Sequence, residues 1–367
     1  MGHRPLTSRA DRAAAGAKAV DEGVAVIIVN YRTPELTKAC LSGLLSEHSE
    51  FRDLRVLVVD GGSGDNSADE LTRLVARPEF RDWVDLLALP INGGFGWANN
   101  QAIQRLLAKT GETPRYIHLL NPDAEPEPGA VHFLARYLNG HPSAGAVGSQ
   151  LLELDESSSG SAFTFPSIRG EFCRGARTGL LDRLLRVPPI SINASEATEV
   201  DWVTGASVML RVEALRDVGL FDEGIFLYHE EVELMWRMRK AGWTIAIEPR
   251  SRVRHIGGAA TGMHGRESSK SAQPRVPVYF YRSRTRFFGL TRGRLVAALA
   301  FLAWLGGHAM WTTRRLFGLA RGSNGIEHQL RDHVVNAFPR KHDFARAAPT
   351  PDTPPTEAPA WMAKRWL

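Results

Sequence analysis

Three glutamates lie close together in the segment YHEEVELMWR, where Glu230 and Glu231 are adjacent and Glu233 follows two residues later. Carboxylates packed this closely raise one another's pKa, so that one of them can act as a general base near neutral pH. The same segment begins a helical pattern, and glutamates at a helix N-terminus are also favoured by the helix dipole alone. The cluster by itself leaves both interpretations open.

Asp123 follows the apolar run YIHLL in the proline-bounded turn NPDAEPEPG. A carboxylate at the end of a strand is well placed to hold a divalent cation, because Mg²⁺ and Mn²⁺ commonly use one or two carboxylates together with substrate phosphates. A simple turn role for Asp123 is the alternative. His255 ends the strand-like segment SRVRH beside Gly257, where the backbone can approach a ligand closely, although a lone histidine is more often structural.

Asp60 ends a second apolar run, RVLVVD. An aspartate at a strand end can accept hydrogen bonds from a base or a ribose, and a cap or turn role is the alternative. The glycine-rich segment NGGFGWANN follows the third predicted strand and lacks the G-x-G-x-x-G spacing. This spacing argues against a dinucleotide-dependent dehydrogenase.

The elements that must position these residues alternate between apolar, β-branched runs and helical patterns. Four strands are predicted in the first third of the chain, at Val24–Asn30, Arg55–Asp60, Val84–Leu89 and Tyr116–Leu120. This alternation predicts a parallel sheet with helices on both faces. Ligands of such sheets bind at the carboxyl ends of the strands, where the polar residues above are found.

The composition excludes several classes of protein. Of the 367 residues, 43% are hydrophobic and 23% are charged, which indicates a globular protein with a sizeable core. Two cysteines cannot form a disulfide framework and suit a reducing compartment. The net charge is +5, and residues 250–345 are rich in arginine, which favours anionic lipid or a phosphorylated substrate. Nucleic acid is not an expected partner, because no recognition motif accompanies the charge.

The two ends of the chain differ from its centre. Residues 1–23 contain no apolar core of a secretory signal and are predicted to form a disordered leader. After a predicted flexible loop at 256–276, residues 277–345 form a helical region. Within it, Leu295–Trp311 is strongly apolar but short of the about 20 residues that span a bilayer, so an in-plane or re-entrant membrane contact and a buried helix remain alternatives. Residues 346–367 form a proline-rich tail that cannot build a core, and it is either untethered or an interfacial anchor.

Six blocks occur in order between about residues 24 and 260: VIIVNYRTPELTKACL, VVDGGSGDNS, INGGFGWANNQAI, LLNPDAEPEPGA, the long segment from VDWVTGASVML to RKAGW, and VRHIGG. This series resembles the family 2 inverting glycosyltransferases, specifically their rhamnosyltransferase-like branch. The resemblance implies an α/β protein with the glycosyltransferase A fold, a Rossmann-like, mostly parallel sheet with helices on both faces, plus the C-terminal helical region. Residues 150–198, which break the alternation, are predicted to be an insertion.

The resemblance also implies roles for the residues at the matching positions. The base and ribose would be held by Tyr31, Thr33 and Asp60. The nucleotide-sugar pocket would be lined by Asn92, Gly94, Phe95, Asn100 and Asn121. The donor sugar and acceptor would be bordered by Asp201, Trp202, Thr204, Gly205 and Glu230. Asp123 and His255 would hold Mg²⁺ or Mn²⁺, and Glu231 would be the general base.

Two departures from the family pattern affect these roles. The first aspartate of the usual Asp-x-Asp element is Asn121, which leaves one fewer charge on the metal. The usual Glu-Asp-x-Asp element is Glu230-Glu231-Val232-Glu233, so that the base is a glutamate, one methylene longer. Glu233 and Arg237 are four residues apart on the helix and are predicted to pair.

The function implied is inverting transfer of a sugar, L-rhamnose from dTDP-L-rhamnose, onto a hydroxyl of a cell-envelope or lipid-linked glycan. A UDP-hexose or UDP-galactofuranose donor is the alternative, and a non-catalytic nucleotide-sugar-binding subunit is another. The arginine-rich apolar region predicts association with a membrane surface, on the cytoplasmic face of a bacterial inner membrane. The sequence leaves a homo-oligomer open.

Overall fold

The computed structural model describes residues 23–51, 54–108, 113–189, 191–257, 275–320, 325–337 and 345–362. The predicted leader lies outside the described residues apart from Gly23. The predicted loop at 256–276 also lies outside them, apart from its two ends.

The helices and strands are numbered in chain order. The strands are β1 Val24–Asn30, β2 Leu54–Asp60, β3 Val84–Ala88, β4 Tyr116–Leu120, β5 Ala124–Pro126, β6 Ala144–Leu152, β7 Ala162–Phe163, β8 Ser191–Ile192, β9 Thr198–Val200, β10 Trp202–Val203, β11 Ser207–Arg211 and β12 Thr244–His255. The helices are α1 Pro34–Gly43, α2 Leu45–Glu50, α3 Ser67–Val75, α4 Phe95–Ala108, α5 Ala130–Gly140, α6 Ile168–Ala176, α7 Gly179–Leu184, α8 Val212–Val218, α9 Glu230–Lys240, α10 Val278–Arg292, α11 Arg294–Leu316 and α12 Gln329–Val335. A 3₁₀ turn spans Ala360–Met362.

Within the described ranges, nine strands form one sheet in the order β3-β2-β1-β4-β11-β6-β12-β5, with β9 also paired to β12. β1 runs parallel to both β2 and β4, and β2 runs parallel to β3. β11 lies antiparallel between β4 and β6. The four strands predicted in the first third of the chain are therefore confirmed, and their carboxyl ends lie at one edge of the sheet.

Both faces of the sheet are buried. Consecutive side chains of a strand point to opposite sides, so neighbouring residues enter different core layers. Val26 packs into one core layer with Leu41 of α1, and its neighbour Ile27 packs into the other with Ile103 of α4. All four residues are at most 1% exposed. The prediction of helices on both faces is confirmed, and it explains why β1 is almost continuously apolar.

The segment VDWV, residues 200–203, has the β-branched character of one strand but is interrupted at Asp201. β9 joins the main sheet, whereas β10 belongs to a second, three-stranded sheet with β7 and β8. Asp201 accepts a hydrogen bond through Oδ2 from the backbone N–H of Phe165 at 2.7 Å. Its side chain therefore joins the break between β9 and β10 to the segment that follows β7. A sequence pattern cannot reveal this break, because Val200 and Val203 are both buried, one in each sheet.

The region between β6 and β9 carries helix α6, which packs tightly against α11. A Cβ atom at Gly307 would lie 2.1 Å from the backbone oxygen of Phe172, and one at Gly175 would lie 2.3 Å from the backbone oxygen of Trp304. These glycines let the two helices approach closely. α11 has 23 residues and is long and apolar enough to cross a bilayer, with one third of its most apolar window buried (33%).

The described part of the proline-rich tail lies against the domain. The carbonyl of Pro349 accepts a hydrogen bond from Leu220 N at 2.8 Å, and Thr353 Oγ1 accepts one from Gln104 Nε2 at 3.0 Å. An untethered tail is therefore wrong for residues 345–362. The prediction failed because the partners of an extended, proline-rich chain lie more than a hundred residues away in sequence.

Candidate functional site

A cavity of about 520 Å³ opens at the carboxyl ends of the parallel strands. Tyr31 follows β1, Gly61 follows β2, and Asn121 with Asp123 follows β4. The other predicted site residues on its wall are Asn92, Gly94, Phe95, Thr204, Gly205, Glu230, Glu231 and His255. The side chains of Asp123, Glu231 and His255, on which the enzymatic interpretation depends, thus face one cavity.

Strand pairing brings Asp123 and His255 together. β5 and β12 are antiparallel, and His255 lies opposite Ala124, the residue after Asp123. His255 Nε2 is 3.3 Å from Asp123 Oδ1, and the amide nitrogen of Asn121 is 3.4 Å from the same Nε2. Two side chains 132 positions apart in sequence therefore form one potential ligand pair.

This pair fits a divalent cation. Adjacent ligands of an octahedral Mg²⁺ or Mn²⁺ ion, each about 2.1 Å from the metal, lie about 3 Å apart, close to the observed separation. Within the described part of the chain, no group of three or more His, Cys, Asp or Glu side chains could hold a metal. The remaining ligands would come from substrate phosphates and water, as is usual for Mg²⁺.

The acidic cluster is set by a strained turn before α9. Tyr228 and His229 both have positive φ angles, 65° and 69°, a conformation that is uncommon for residues other than glycine. The ring of His229 is buried near Phe280 and Phe287. Burial lowers the pKa of His229 to about 3, so the ring is neutral at physiological pH. The turn aims Glu230 and Glu231 into the cavity.

The two adjacent glutamates differ in their readiness to ionise. Burial raises the pKa of Glu231 to about 7, and the backbone N–H of Gly205 is among the hydrogen bonds that limit the rise. Burial, and then the charge of Glu231, raises the pKa of Glu230 well above its usual value. Oε2 of each glutamate is buried without a hydrogen-bond partner among the described residues. Glu231 is therefore the group that loses its proton near neutrality, while Glu230 keeps its own.

Glu233 has a structural role. Its Oε2 lies 2.8 Å from Nη2 of Arg237, and both side chains are buried, so the predicted pair is confirmed. Arg237 also donates to the carbonyl oxygens of Gly219 and Leu220. The pair thus fastens α9 to the start of the loop that leads to the cavity.

Five predicted site residues do not line the cavity: Thr33, Asp60, Asn100, Asp201 and Trp202. Asp60 is buried and accepts hydrogen bonds from Asn30 Nδ2 at 2.9 Å and from the hydroxyl of Ser63 at 2.6 Å. Thr33 donates to Asn30 Oδ1 through its backbone N–H, at 3.1 Å. This network joins the ends of β1 and β2. Tyr31 and Gly61, next to Thr33 and Asp60 in sequence, are the residues that reach the cavity.

Asn100 is also engaged inside the protein. Its amide nitrogen donates to the carbonyl of Phe221 at 2.9 Å and to Glu223 Oε1 at 3.2 Å, and its oxygen accepts from the N–H of Phe221. Trp202 stacks on Phe163 with ring centroids 4.3 Å apart. Neither Asn100 nor Trp202 lines the cavity, and nor does Asp201.

Three aromatic residues that were not predicted as site residues line the cavity: Phe226, Tyr228 and Tyr279. The rings of Phe226 and Tyr279 lie 5.2 Å apart edge to face. Phe226 and Tyr228 belong to the loop before the glutamates and could have been suspected from it. Tyr279 begins α10, in a region that the sequence assigned to a separate helical unit.

A family model described as "Glycosyl transferase family 2" matches residues 25–219, which is more than half of the chain. The chain belongs to glycosyl transferase family 2. The matched range contains strands β2 to β11 and all of β1 but its first residue, together with Asp123 and the glycine-rich loop, and it ends before β12 and the glutamate pair. The predicted membership of a rhamnosyltransferase-like family 2 is confirmed, and the protein is a glycosyltransferase.

Two curated relatives come from Mycobacterium tuberculosis. The N-acetylglucosaminyl-diphospho-decaprenol L-rhamnosyltransferase is 30% identical over 222 residues, which cover 58% of this chain and 69% of the relative. The pre-mycofactocin glycosyltransferase is 28% identical over 223 residues, 58% of this chain and 40% of the relative.

Among solved structures, GalNAc-T7 with UDP, GalNAc and Mn²⁺ superposes with a TM-score of 0.50 at 11% identity, over 86% of this chain and 57% of that one. This likeness concerns the fold alone. Together with the family match and the observed sheet, it confirms the predicted glycosyltransferase A fold.

Proposed function

We propose that this glycosyltransferase moves L-rhamnose from dTDP-L-rhamnose onto a hydroxyl of a lipid-linked or cell-envelope glycan, with inversion at the anomeric carbon. The observation that carries the proposal is the meeting of two kinds of group in one cavity. Glu231 presents an unpartnered carboxylate oxygen there, and Asp123 and His255 supply a ligand pair.

Glu231 acts as the general base. Its carboxylate removes the proton of the acceptor hydroxyl while that oxygen forms a bond to the anomeric carbon of the donor. The bond between the anomeric carbon and the diphosphate oxygen breaks in the same step, and the electron pair leaves with the nucleoside diphosphate. A single displacement of this kind inverts the anomeric configuration. Glu230, which stays protonated, can donate a hydrogen bond to a substrate oxygen.

Asp123 and His255 would hold Mg²⁺ or Mn²⁺. A cation bound there supplies charge neutralisation for the diphosphate leaving group. The imidazole nitrogen makes Mn²⁺ a better match than Mg²⁺, which prefers oxygen ligands. Tyr31, which directly follows β1, and Asn92, which begins the glycine-rich loop, would contact the nucleotide.

The donor and acceptor rest on the relative whose name specifies an L-rhamnosyltransferase and a diphospho-decaprenol acceptor. A UDP-hexose or UDP-galactofuranose donor is the alternative for the same site. A non-catalytic nucleotide-sugar-binding subunit would bind the donor without transferring the sugar. The Oε2 atom of Glu231 argues against that alternative, because a buried carboxylate oxygen without a hydrogen-bond partner destabilises a protein that gains nothing from it.

The experiment that tests the proposal replaces Glu231 with Gln. Loss of a general base lowers the transfer rate by about 10²- to 10⁴-fold, while the affinity for the donor nucleotide sugar stays close to that of the wild type. Glu213→Gln, the same change at an exposed site in the first turn of α8, is the matched control. Turnover of Glu231→Gln within a few-fold of the wild type would rule this base out.

We also propose that the protein associates with a membrane surface, on the cytoplasmic face of a bacterial inner membrane. Leu295, Leu299, Leu302 and Leu316 form an exposed stripe along α11. Between Arg294 and Arg314 the helix carries no Asp, Glu, Lys or Arg side chain. An apolar stripe bounded by arginines suits the interface of an anionic bilayer.

Vesicles that contain anionic phospholipid test this placement. Wild-type protein is expected to co-sediment with them, more weakly at high salt, and Leu302→Glu is expected to bind several-fold less. Leu154→Glu, at a leucine that is also exposed but lies outside the C-terminal helices, is the control. Equal binding by the two variants would exclude the stripe as the contact.

A further inference from the structure

The C-terminal segment, defined as residues 345–362, runs along the domain and ends beside the cavity. It is held by a series of contacts with α4 and with the loop after α8. Glu223 N donates to the carbonyl of Ala347 at 2.9 Å, Gln101 Nε2 donates to the carbonyl of Thr356 at 3.0 Å, and Trp97 Nε1 donates to Thr356 Oγ1 at 2.9 Å. The path of the segment is therefore fixed as far as the 3₁₀ turn.

Trp361 closes this path with two contacts of a different kind. Its indole N–H donates to the carbonyl of Gly93 at 2.9 Å, in the glycine-rich loop. Its ring lies edge to face on Phe226, with centroids 5.2 Å apart. Trp361 does not line the cavity itself. It contacts Phe226, which does, and Gly93, whose neighbour Gly94 does.

Those two loops are interlocked. Phe95 N donates to the carbonyl of Phe226 at 3.2 Å. Gly94 has a φ of +90°, and a Cβ there would lie 2.0 Å from the same oxygen, so only glycine allows the approach. Gly94, Phe95 and Phe226 all line the cavity. A change in the position of Phe226 or of Gly93 would therefore alter the wall directly.

We infer that Trp361 is a positioning residue of the nucleotide-sugar pocket, which holds the glycine-rich loop against Phe226 from behind. The inference rests on the proposed function, because the pocket side of this loop is where the donor would bind. The C-terminal segment, far outside the family match, is in this view an integral part of the donor site. Aromatic edge-to-face contacts and a buried hydrogen bond each favour one geometry of the groups they join.

The extended, proline-rich character of the segment suits this role. Prolines restrict the unbound chain, so less conformational entropy is lost when the segment docks. Its carbonyl groups, which an extended chain leaves unpaired, are met by glutamine side chains and backbone N–H groups of the domain. The aromatic anchor at its end then contacts the pocket wall.

The test compares three variants of the full chain. Trp361→Ala removes the hydrogen bond and the ring contact, Trp361→Phe keeps an aromatic ring without the N–H, and Thr353→Ala removes a contact of the same segment, to Gln104, away from the cavity. The affinity for dTDP-L-rhamnose and the kinetic constants of transfer are measured for each.

Trp361→Ala is expected to raise the KM and the Kd for the donor about tenfold, with a smaller change in kcat. Trp361→Phe is expected to lie between this variant and the wild type, and Thr353→Ala to match the wild type. Unchanged donor affinity in Trp361→Ala overturns the inference. An equal loss in Thr353→Ala overturns it too, because the effect would then belong to the whole segment.

Hydrogen exchange of the Phe95 amide gives a readout that needs no substrate. Its exchange is expected to be faster in Trp361→Ala than in the wild type and unchanged in Thr353→Ala. If the wild type binds none of the nucleotide sugars, the proposed function fails, and this readout still decides on the positioning role. Equal exchange rates of the Phe95 amide in Trp361→Ala and the wild type would contradict it.

Discussion

The part of the chain that matches the family and the part that follows it contribute different chemistry to one cavity. The matched part, residues 25–219, supplies the strand ends and Asp123. The following part supplies Glu231, His255 and the aromatic wall. The family match therefore covers Asp123 and the glycine-rich loop, whereas the proposed base, Glu231, and the proposed second metal ligand, His255, lie beyond it.

The polar groups of the two parts also differ in how they are satisfied. Asp60 and Asn100 in the matched part are buried with their hydrogen bonds made inside the protein. Glu230 is buried and Glu231 is half-buried, and each has a buried carboxylate oxygen without a partner among the described residues. An unpaired buried polar atom is costly. Internal partners therefore indicate an architectural role for Asp60 and Asn100, and the unpaired oxygens of Glu230 and Glu231 at the cavity wall support the proposed substrate contacts.

The largest effect is expected when the metal pair is broken. Asp123→Asn removes a carboxylate ligand, and neutralisation of the leaving group is worth several kcal/mol, so transfer should fall by about 100-fold or more. The rate is measured against Mn²⁺ concentration. Glu125→Gln, two residues on and exposed, is the control. An equal response of both variants to Mn²⁺ would remove the metal role from Asp123.

The next largest effect is expected in the pH dependence of transfer, through the protonation of Glu231. Because burial raises the pKa of Glu231 to about 7, kcat/KM should rise about tenfold per pH unit below that value and level off above it. The residual activity of Glu231→Gln should lack this rise. A wild-type profile that is flat between pH 5 and pH 8, chosen as about two units below and one above the shifted pKa, would contradict the assignment.

The same pKa shift predicts a change in stability. The folded protein binds this proton more tightly than the unfolded chain, whose glutamate has its usual pKa of 4.5. The contribution of Glu231 to stability is therefore greatest at low pH and is lost as the pH rises towards 7. Glu231→Gln should melt several degrees above the wild type at pH 8, and the difference should shrink at pH 5. A constant difference would speak against a buried, protonated carboxyl.

The smallest effect is expected from two asparagine substitutions, at Asn92 in the glycine-rich loop and at Asn100 in α4, the helix that follows it. Asn100→Ala leaves the Phe221 N–H without this partner and removes one of the hydrogen bonds to Glu223. It should cost about 1–3 kcal/mol of stability, with donor affinity close to that of the wild type. Asn92→Ala changes a residue that lines the cavity, and it should weaken donor binding more than it lowers the melting temperature. The reverse pattern would return Asn100 to the nucleotide pocket, as the family resemblance implied.

The sequence by itself determined the four parallel strands β1 to β4 and most of the residues at their carboxyl ends. Alternating apolar and helical segments predicted β1 to β4. Polar residues after β1, β3 and β4 (Tyr31, Asn92, Asn121 and Asp123) fell on the cavity because parallel strands end at one edge. The spacing of Glu233 and Arg237 fixed their pairing, since side chains four residues apart meet on a helix. These features depend on local periodicity, which a single sequence displays.

The tertiary structure alone decided which polar groups face the cavity and which hold the scaffold. Asp60 and Asp123 both follow buried strands, but only the neighbours of Asp60 in space, Asn30 and Ser63, direct its carboxylate inward. Tyr279 and Trp361 reach the site from segments 52 and 134 residues beyond Leu227 in the chain. Such contacts have no sequence periodicity, because they arise where distant segments pack against the same loop.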